Sequence, residues 1–343
     1  MKYEKKAPLI WNGRSLELLD QRLLPHQQVV VNVTTVKECY DAIRDMVVRG
    51  APLIGFTGIW GAVLSCINNG NFEEDIAYLK EARPTAINLV YELDRCLGIF
   101  RTNGPEGLKE KIIDFANEQM AKLGRDNQKM ADLALEFMDK NYHSENYTFL
   151  TICNTGYLAC GPMGTALGVI SNANSKNRLA KAYATETRPY LQGSRLTAYE
   201  MMTEEIPFEI IVEGAFSYLL KTRKIDAIFA GADRIARNGD TANKIGTSTL
   251  AIVAKEYGVP FFIVAPTSSF DLQIAHGDQI PIELRDEKEI THISGQAIAP
   301  IGARALNPSF DVTSSKHITG IFCENGVITD FDPENVRRIV QGE

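Results

Sequence analysis

The stretch Phe149-Leu-Thr-Ile-Cys153-Asn154-Thr155-Gly156 decides how the second half of this chain is read. It is a short, apolar, β-prone run that breaks off in residues suited to a turn. Four runs of the same kind follow: Ala182–Thr185, Phe208–Val212, Ala227–Ala230 and Phe261–Ala265. Segments with helical spacing separate them, and Gly, Asn, Asp or Pro comes after most. That alternation predicts a parallel sheet with crossover helices, a Rossmann-like doubly wound domain. A last β-prone run, Ile318–Cys323, precedes Asn325-Gly326 and predicts a closing hairpin or edge strand.

Upstream the pattern differs. Leu9–Trp11 and Leu16–Leu19 flank Asn12-Gly13 and read as a short hairpin. Val36 to Val48 has helical apolar spacing, Ala86 to Phe100 follows the helix-starting Pro84, and Pro105 to Asp139 reads as two more helices. The expected fold is therefore α/β. A mainly helical domain with a small antiparallel sheet covers 1–143, and a Rossmann-like parallel-sheet domain covers 144–343. The boundary falls in the polar break Asn141–Glu145.

At 343 residues the chain has room for two domains, and 45% hydrophobic with 23% charged residues suits a protein with a buried core. A net charge of -7 and a pI near 5.4 argue against binding nucleic acid through phosphate neutralisation. The opening MKYEKKAPLIWNG lacks the apolar run of a signal peptide, and no window reaches the roughly 18–20 apolar residues of a membrane span. Six dispersed cysteines without a CxxC pair, and five histidines without HExxH spacing, predict reduced thiols in a cytoplasmic protein with no metal.

Ligands of an open parallel sheet bind beyond the carboxyl ends of its strands. The residues expected there are Cys153-Asn154-Thr155-Gly156, Glu186 to Gly193, Glu213-Gly214-Ala215, Gly231-Ala232-Asp233-Arg234 and Pro266 to Ser269. Cys153 alone has a bland reading, since free cysteine is often a small buried hydrophobe. Its place at a strand end, ahead of a helix expected near Met163, favours a reactive thiolate instead. Cys160 reads as structural. Asp233 suits an N-cap or a partner for Arg234, and equally a general acid or base at a dry strand end. Asn243-Lys244-Ile245-Gly246 is expected to open a helix; its amides and Lys244 could hold an anion if that helix start faces the rim, and otherwise Lys244 is a solvated charge. Arg49 before Gly50-Ala51-Pro52 can grip a phosphate bidentately, with Gly50 allowing close backbone approach. Gly55, Gly58 and Gly61 read as a helix-packing face. Neither they nor Gly161, Gly164 and Gly168 form GxGxxG, so no NAD and no other cofactor is expected.

Read in order, these motifs resemble the methylthioribose-1-phosphate isomerase family over nearly the whole chain. They are Arg49-Gly-Ala-Pro, Arg83-Pro-Thr-Ala-Ile-Asn88, Cys153-Asn-Thr-Gly, Glu186-Thr-Arg-Pro, Gln192-Gly-Ser-Arg-Leu-Thr-Ala, Gly231-Ala-Asp-Arg-Ile and Asn238 to Gly246. The resemblance implies catalysis by Cys153 and Asp233. It implies phosphate and sugar binding by Arg49, Gly50, Ala51, Arg83, Gln192, Asn243 and Lys244. It also implies a homodimer acting on a small sugar phosphate in methionine salvage, without nucleic acid or membrane. Two places depart from the family pattern: Glu213-Gly214-Ala215-Phe216 after the third strand, and Tyr157 after the cysteine. Both add bulk, which raises 5-deoxyribose 1-phosphate as an alternative substrate. A ribose 1,5-bisphosphate isomerase would need further basic residues there. A non-catalytic regulatory subunit of the same fold would lack the Cys153–Asp233 pair.

Overall fold

In the computed structural model, which describes residues 3–83 and 87–343, β1 (Leu9–Trp11) and β2 (Leu16–Leu19) pair antiparallel across the Asn12-Gly13 turn. Asn12 closes that turn, its Oδ1 accepting the Arg14 and Ser15 amides. β3 (Val30–Val33) joins β2 to complete a small antiparallel sheet. Helices follow: α1 (Val36–Arg44), α2 (Ala51–Ile67), α3 (Phe72–Lys80), α4 (Ile87–Asn103) and α5 (Leu108–Asn141). Thr35 and Glu38 form a capping box that starts α1. Pro84 and Ala86, expected to begin α4, lie outside the described residues.

The two helices expected over Pro105–Asp139 are one. α5 runs unbroken for 34 residues, about 50 Å. Its apolar positions keep helical spacing throughout, so nothing in the segment forces a break. Gly55, Gly58 and Gly61 do form a packing face on α2. A Cβ at these positions would press on Asn88 and Glu92, on Leu89 and Leu93, and on Cys39 and Leu79 respectively.

The described residues divide into two compact units. One comprises Met1–Arg125 with Thr155–Gly164, and the other Asp126–Asn154 with Thr165–Glu343. The first unit takes in a short helix, α6 (Tyr157–Cys160), with half-buried Cys160 at its end.

The second unit carries the expected parallel sheet. Its strands are β4 (Tyr147–Thr151), β5 (Leu179–Thr185), β6 (Phe208–Ile211), β7 (Ala227–Ala230), β10 (Phe261–Val264), β15 (Gly320–Cys323) and β16 (Gly326–Ile328). Their order is β16-β15-β10-β7-β4-β5-β6, parallel except for the edge strand β16. Central strands are buried on both faces, and their side chains sort by alternation. Phe149, Phe229, Phe262 and Phe322 point to one face, under Met130 and Met138 of α5 and Leu167 and Ile170 of α7 (Ala166–Ser175). Leu150, Ile228, Ile263 and Ile321 point to the other. There they meet Leu219 of α9 (Phe216–Thr222), Leu250 of α10 (Thr247–Glu256) and Val336 of α12 (Pro333–Gln341). α8 (Ala198–Thr203) adds Met201 to the aromatic face.

A second, smaller sheet was not anticipated. β8 (Arg234–Ala236) and β9 (Thr241–Lys244) form a hairpin directly after β7, flanked by β11 (Phe270–Asp271) and β14 (Phe310–Thr313). A ribbon of β12 (His292–Ile293) and β13 (Gln296–Ala297) follows α11 (Lys288–Thr291). Asn243 and Lys244 therefore stand on β9 rather than at a helix start, and α10 begins only at Thr247.

Candidate active site

The chain passes from β4 to β5 and β6 on one side, then crosses to place β7 on the other side of β4. That reversal makes the carboxyl ends of β4 and β7 a topological switch point, the place where open α/β sheets bind their ligands. Thr151 of β4 is registered against Phe229 of β7. Cys153 follows the first by two residues and Asp233 the second by four, so both emerge from the same end of adjacent strands.

Cys153 is not the last residue of its strand. The ladder stops at Thr151, and Cys153 is buried with φ +67, a left-handed conformation that β-prone residues avoid. Its N–H donates to Thr187 Oγ1 at 3.0 Å, and its carbonyl accepts from Thr197 Oγ1 at 2.6 Å. Thr187 is itself left-handed (φ +62), and its own N–H donates to Glu213 Oε1 at 2.7 Å. The next residue, Asn154, donates through Nδ2 to buried Glu200 at 2.6 Å. Burial, with Glu213 nearby, pushes the Glu186 carboxyl above the usual range. The helix expected near Met163 is α7, which begins at Ala166 after the short α6; Thr165 stands at its N-cap position without a side-chain cap bond.

Asp233 lies in the link from β7 to β8, and its N–H donates to the Ala242 carbonyl of β9 at 2.9 Å. The expectation of a dry strand end fails here. Asp233 is exposed, because the chain turns outward at once into the β8–β9 hairpin. Asn243, next to Ala242, is buried and donates to Thr247 Oγ1 at 3.0 Å. Lys244 Nζ lies 4.4 Å from the centre of the Phe310 ring. At the start of α10, where free amides could hold an anion, Asp311 already accepts from the N-cap Gly246 at 2.8 Å and from Ser248 at 3.1 Å. Asp311 comes from β14, more than sixty residues along the chain, and burial raises its carboxyl pKa.

Gln192 is buried at the N-cap of the π-helical segment Gly193–Thr197, and its Oε1 has no hydrogen-bond partner among the described residues. An orphaned buried carbonyl oxygen invites a ligand hydroxyl. Gly193 fits only because it lacks a Cβ, which would stand 1.6 Å from the Thr185 carbonyl oxygen. In the first unit, Arg49 and Ala51 flank Gly50, the N-cap of α2, which offers no side-chain cap of its own. Gly50 has φ +87, and a Cβ there would meet the Ala159 carbonyl oxygen at 2.2 Å. Arg83 is half-buried, while Pro84, Thr85 and Ala86 of its motif lie outside the described residues. Of the two departures, Phe216 is packed into the core beside Leu219, and Tyr157 lies in the first unit with Lys5 Nζ 4.6 Å from its ring centre.

The threonines at 187 and 197, Glu200 and Asp311 were not singled out from the sequence. Two of them sit inside motifs that were quoted, but a hydroxyl two residues past a strand gives no sign of which amide it will meet.

Residues 64–330 match the model of the Initiation factor 2 subunit family. A methylthioribose-1-phosphate isomerase from Acetivibrio thermocellus is 43% identical over 342 residues, covering 96% of this chain and 99% of the relative. The chain belongs to the methylthioribose-1-phosphate isomerase family. The isomerase of Thermotoga maritima is 41% identical, with 98% of this chain and 99% of the relative covered. Among solved structures, the 5-methylthioribose 1-phosphate isomerase from Pyrococcus horikoshii OT3 superposes with a TM-score of 0.92 at 33% identity, over 99% of this chain and 97% of that one. The translation initiation factor eIF-2B subunit delta from A. fulgidus follows with a TM-score of 0.86 at 32% identity, over 98% and 100%. The isomerase family thus shares its fold with chains named as initiation factors, and activity has to be argued from side chains. Among the described residues no helix is long and apolar enough to cross a membrane.

Proposed function

We propose that this chain converts 5-methylthioribose 1-phosphate into 5-methylthioribulose 1-phosphate, the aldose–ketose step of methionine salvage. The observation that carries the reading is 43% identity sustained over 99% of a methylthioribose-1-phosphate isomerase. The emergence of Cys153 and Asp233 from adjacent strands at the switch point supports their roles.

A ribose whose C1 oxygen carries phosphate does not open spontaneously to an aldehyde. Asp233 acts as general acid at the ring oxygen while the C1–O bond breaks, and later exchanges the proton at O2. Cys153 takes the C2 proton and delivers it to C1 through an enediol-type intermediate that keeps the phosphate on O1, with no net change in atoms or electrons. The rival is a direct hydride shift from C2 to C1, in which Cys153 supplies polarity and shape; solvent deuterium appearing at C1 of the product separates the two. The exposed Asp233 requires the bound sugar to exclude water before it can hold a proton to donate. Arg49, Gly50, Ala51, Arg83, Gln192, Asn243 and Lys244 bind the phosphate and the sugar. A catalytic domain over 144–343 and a homodimer in the cytoplasm belong to the same proposal, the latter testable by the mass of the protein in solution.

A panel of 5-substituted ribose 1-phosphates tests the substrate. The methylthio sugar should be turned over with the highest kcat/KM. A strong preference for 5-deoxyribose 1-phosphate would replace the substrate while keeping the chemistry, and would make the added bulk of Tyr157 the reason.

A further inference from the structure

Cys153 holds a left-handed backbone conformation, φ +67, that an ordinary cysteine adopts only under constraint. The constraint is visible. Neither of its two peptide groups is fixed by the β4 ladder, which has already ended at Thr151. Its N–H and its carbonyl are instead taken by two threonine hydroxyls from one side, Thr187 Oγ1 and Thr197 Oγ1. Both threonines are fully buried, and each is anchored in turn. Thr187 Oγ1 lies 2.7 Å from Thr185 Oγ1, and its amide is held by Glu213 from the next strand end. Thr197 also accepts from Asn154 Nδ2 at 3.3 Å.

We infer that Thr187 and Thr197 are positioning residues: their hydroxyls clamp the Cys153 peptide so that the thiol faces the crevice in one orientation. Neither hydroxyl is assigned contact with substrate. The inference rests on the role of Cys153 proposed above, and it explains why a reactive thiol is placed two residues past its strand. A residue still in the ladder would have its Cβ direction dictated by the pleat, whereas the clamped turn sets it independently. Glu213 acts one step further out, through Thr187.

Replacing Thr187 with Val keeps shape and β-branching, so the left-handed backbone is strained equally in variant and parent. Only the hydroxyl is lost. Thr187→Val and Thr197→Val should each lower kcat about 10- to 100-fold with KM changed less than about threefold, the signature of lost orientation. Thr187→Ser and Thr197→Ser should recover kcat to within about threefold of the parent. The rate of Cys153 alkylation by iodoacetamide, followed on its own peptide by mass spectrometry, should shift in the Val variants and return in the Ser variants.

Alkylation needs no sugar, so it reads the clamp even if the substrate assignment fails; a parent inactive on every ribose 1-phosphate would overturn that assignment alone. Equal loss in the Val and Ser variants, or parental kcat and alkylation in both Val variants, would overturn the clamp. If one Val variant fails to fold, the other position and both Ser variants still decide between these outcomes.

Discussion

A methyl group added at position 193 would occupy space already held by the Thr185 carbonyl, and the strand end that presents Thr187 would have to move with it. Gly193→Ala should therefore destabilise the protein by at least about 3 kcal/mol, through overpacking against backbone that cannot yield. Thermal unfolding measures this, and a melting temperature within a degree or two of the parent would refute it. The glycine was quoted in a motif, but its reason was not legible there. Local sequence records that a residue is small; it does not record that a carbonyl lies across the turn. The same gap explains the misplacement of Lys244 and the missed Asp311. Asn243 to Gly246 has the look of a helix start, whereas the group that caps α10 is the Asp311 carboxyl, brought in by β14 from a distant part of the chain. Cys153 and Asp233 were legible as strand-end residues. The exposure of Asp233 was not, because it depends on a hairpin, β8–β9, whose short strands carry little apolar signal.

The elements of the second unit followed the sequence closely, since buried parallel strands are written as short apolar runs and every expected run became a strand. α5 was less legible, its length being settled by where it packs. Near its C-terminal end Asp139 accepts two guanidinium bonds from Arg178, at 2.8 and 2.6 Å, and the Tyr147 hydroxyl at 2.8 Å. This ties the helix to β4 and to the residue before β5. The Arg178 bonds hold the Asp139 carboxyl below its ordinary value of 3.8, while burial and Asp139 push Tyr147 up to about 12. A carboxyl depressed by folding stabilises the folded state above its unfolded pKa, and that contribution fades as pH falls through the lower folded value. Both partners are partly exposed, which limits the gain through solvent screening. Asp139→Asn should cost about 1 kcal/mol at neutral pH. Denaturant titrations of variant and parent should differ at pH 7 and converge well below pH 3.8. A difference that persists undiminished in acid would show that the charge is not what holds this corner.

At the scale of the whole molecule, the fold is shared by isomerases and by chains named as initiation factors, so the overall likeness cannot carry the chemistry. In the proposed reaction the chemistry falls to Cys153 and Asp233, which follow adjacent strands where the strand order reverses. Under the same proposal the two threonines orient the thiol, and the buried Gln192 Oε1, which has no hydrogen-bond partner among the described residues, accepts from the sugar. The decisive measurement is turnover of 5-methylthioribose 1-phosphate by the parent beside Cys153→Ala and Asp233→Asn, with product binding followed in parallel. The parent should produce the ketose, and each variant should lose on the order of 10³-fold or more in kcat while still binding product. Turnover by either variant within about tenfold of the parent would contradict the account, because the residue concerned would then not be moving a proton.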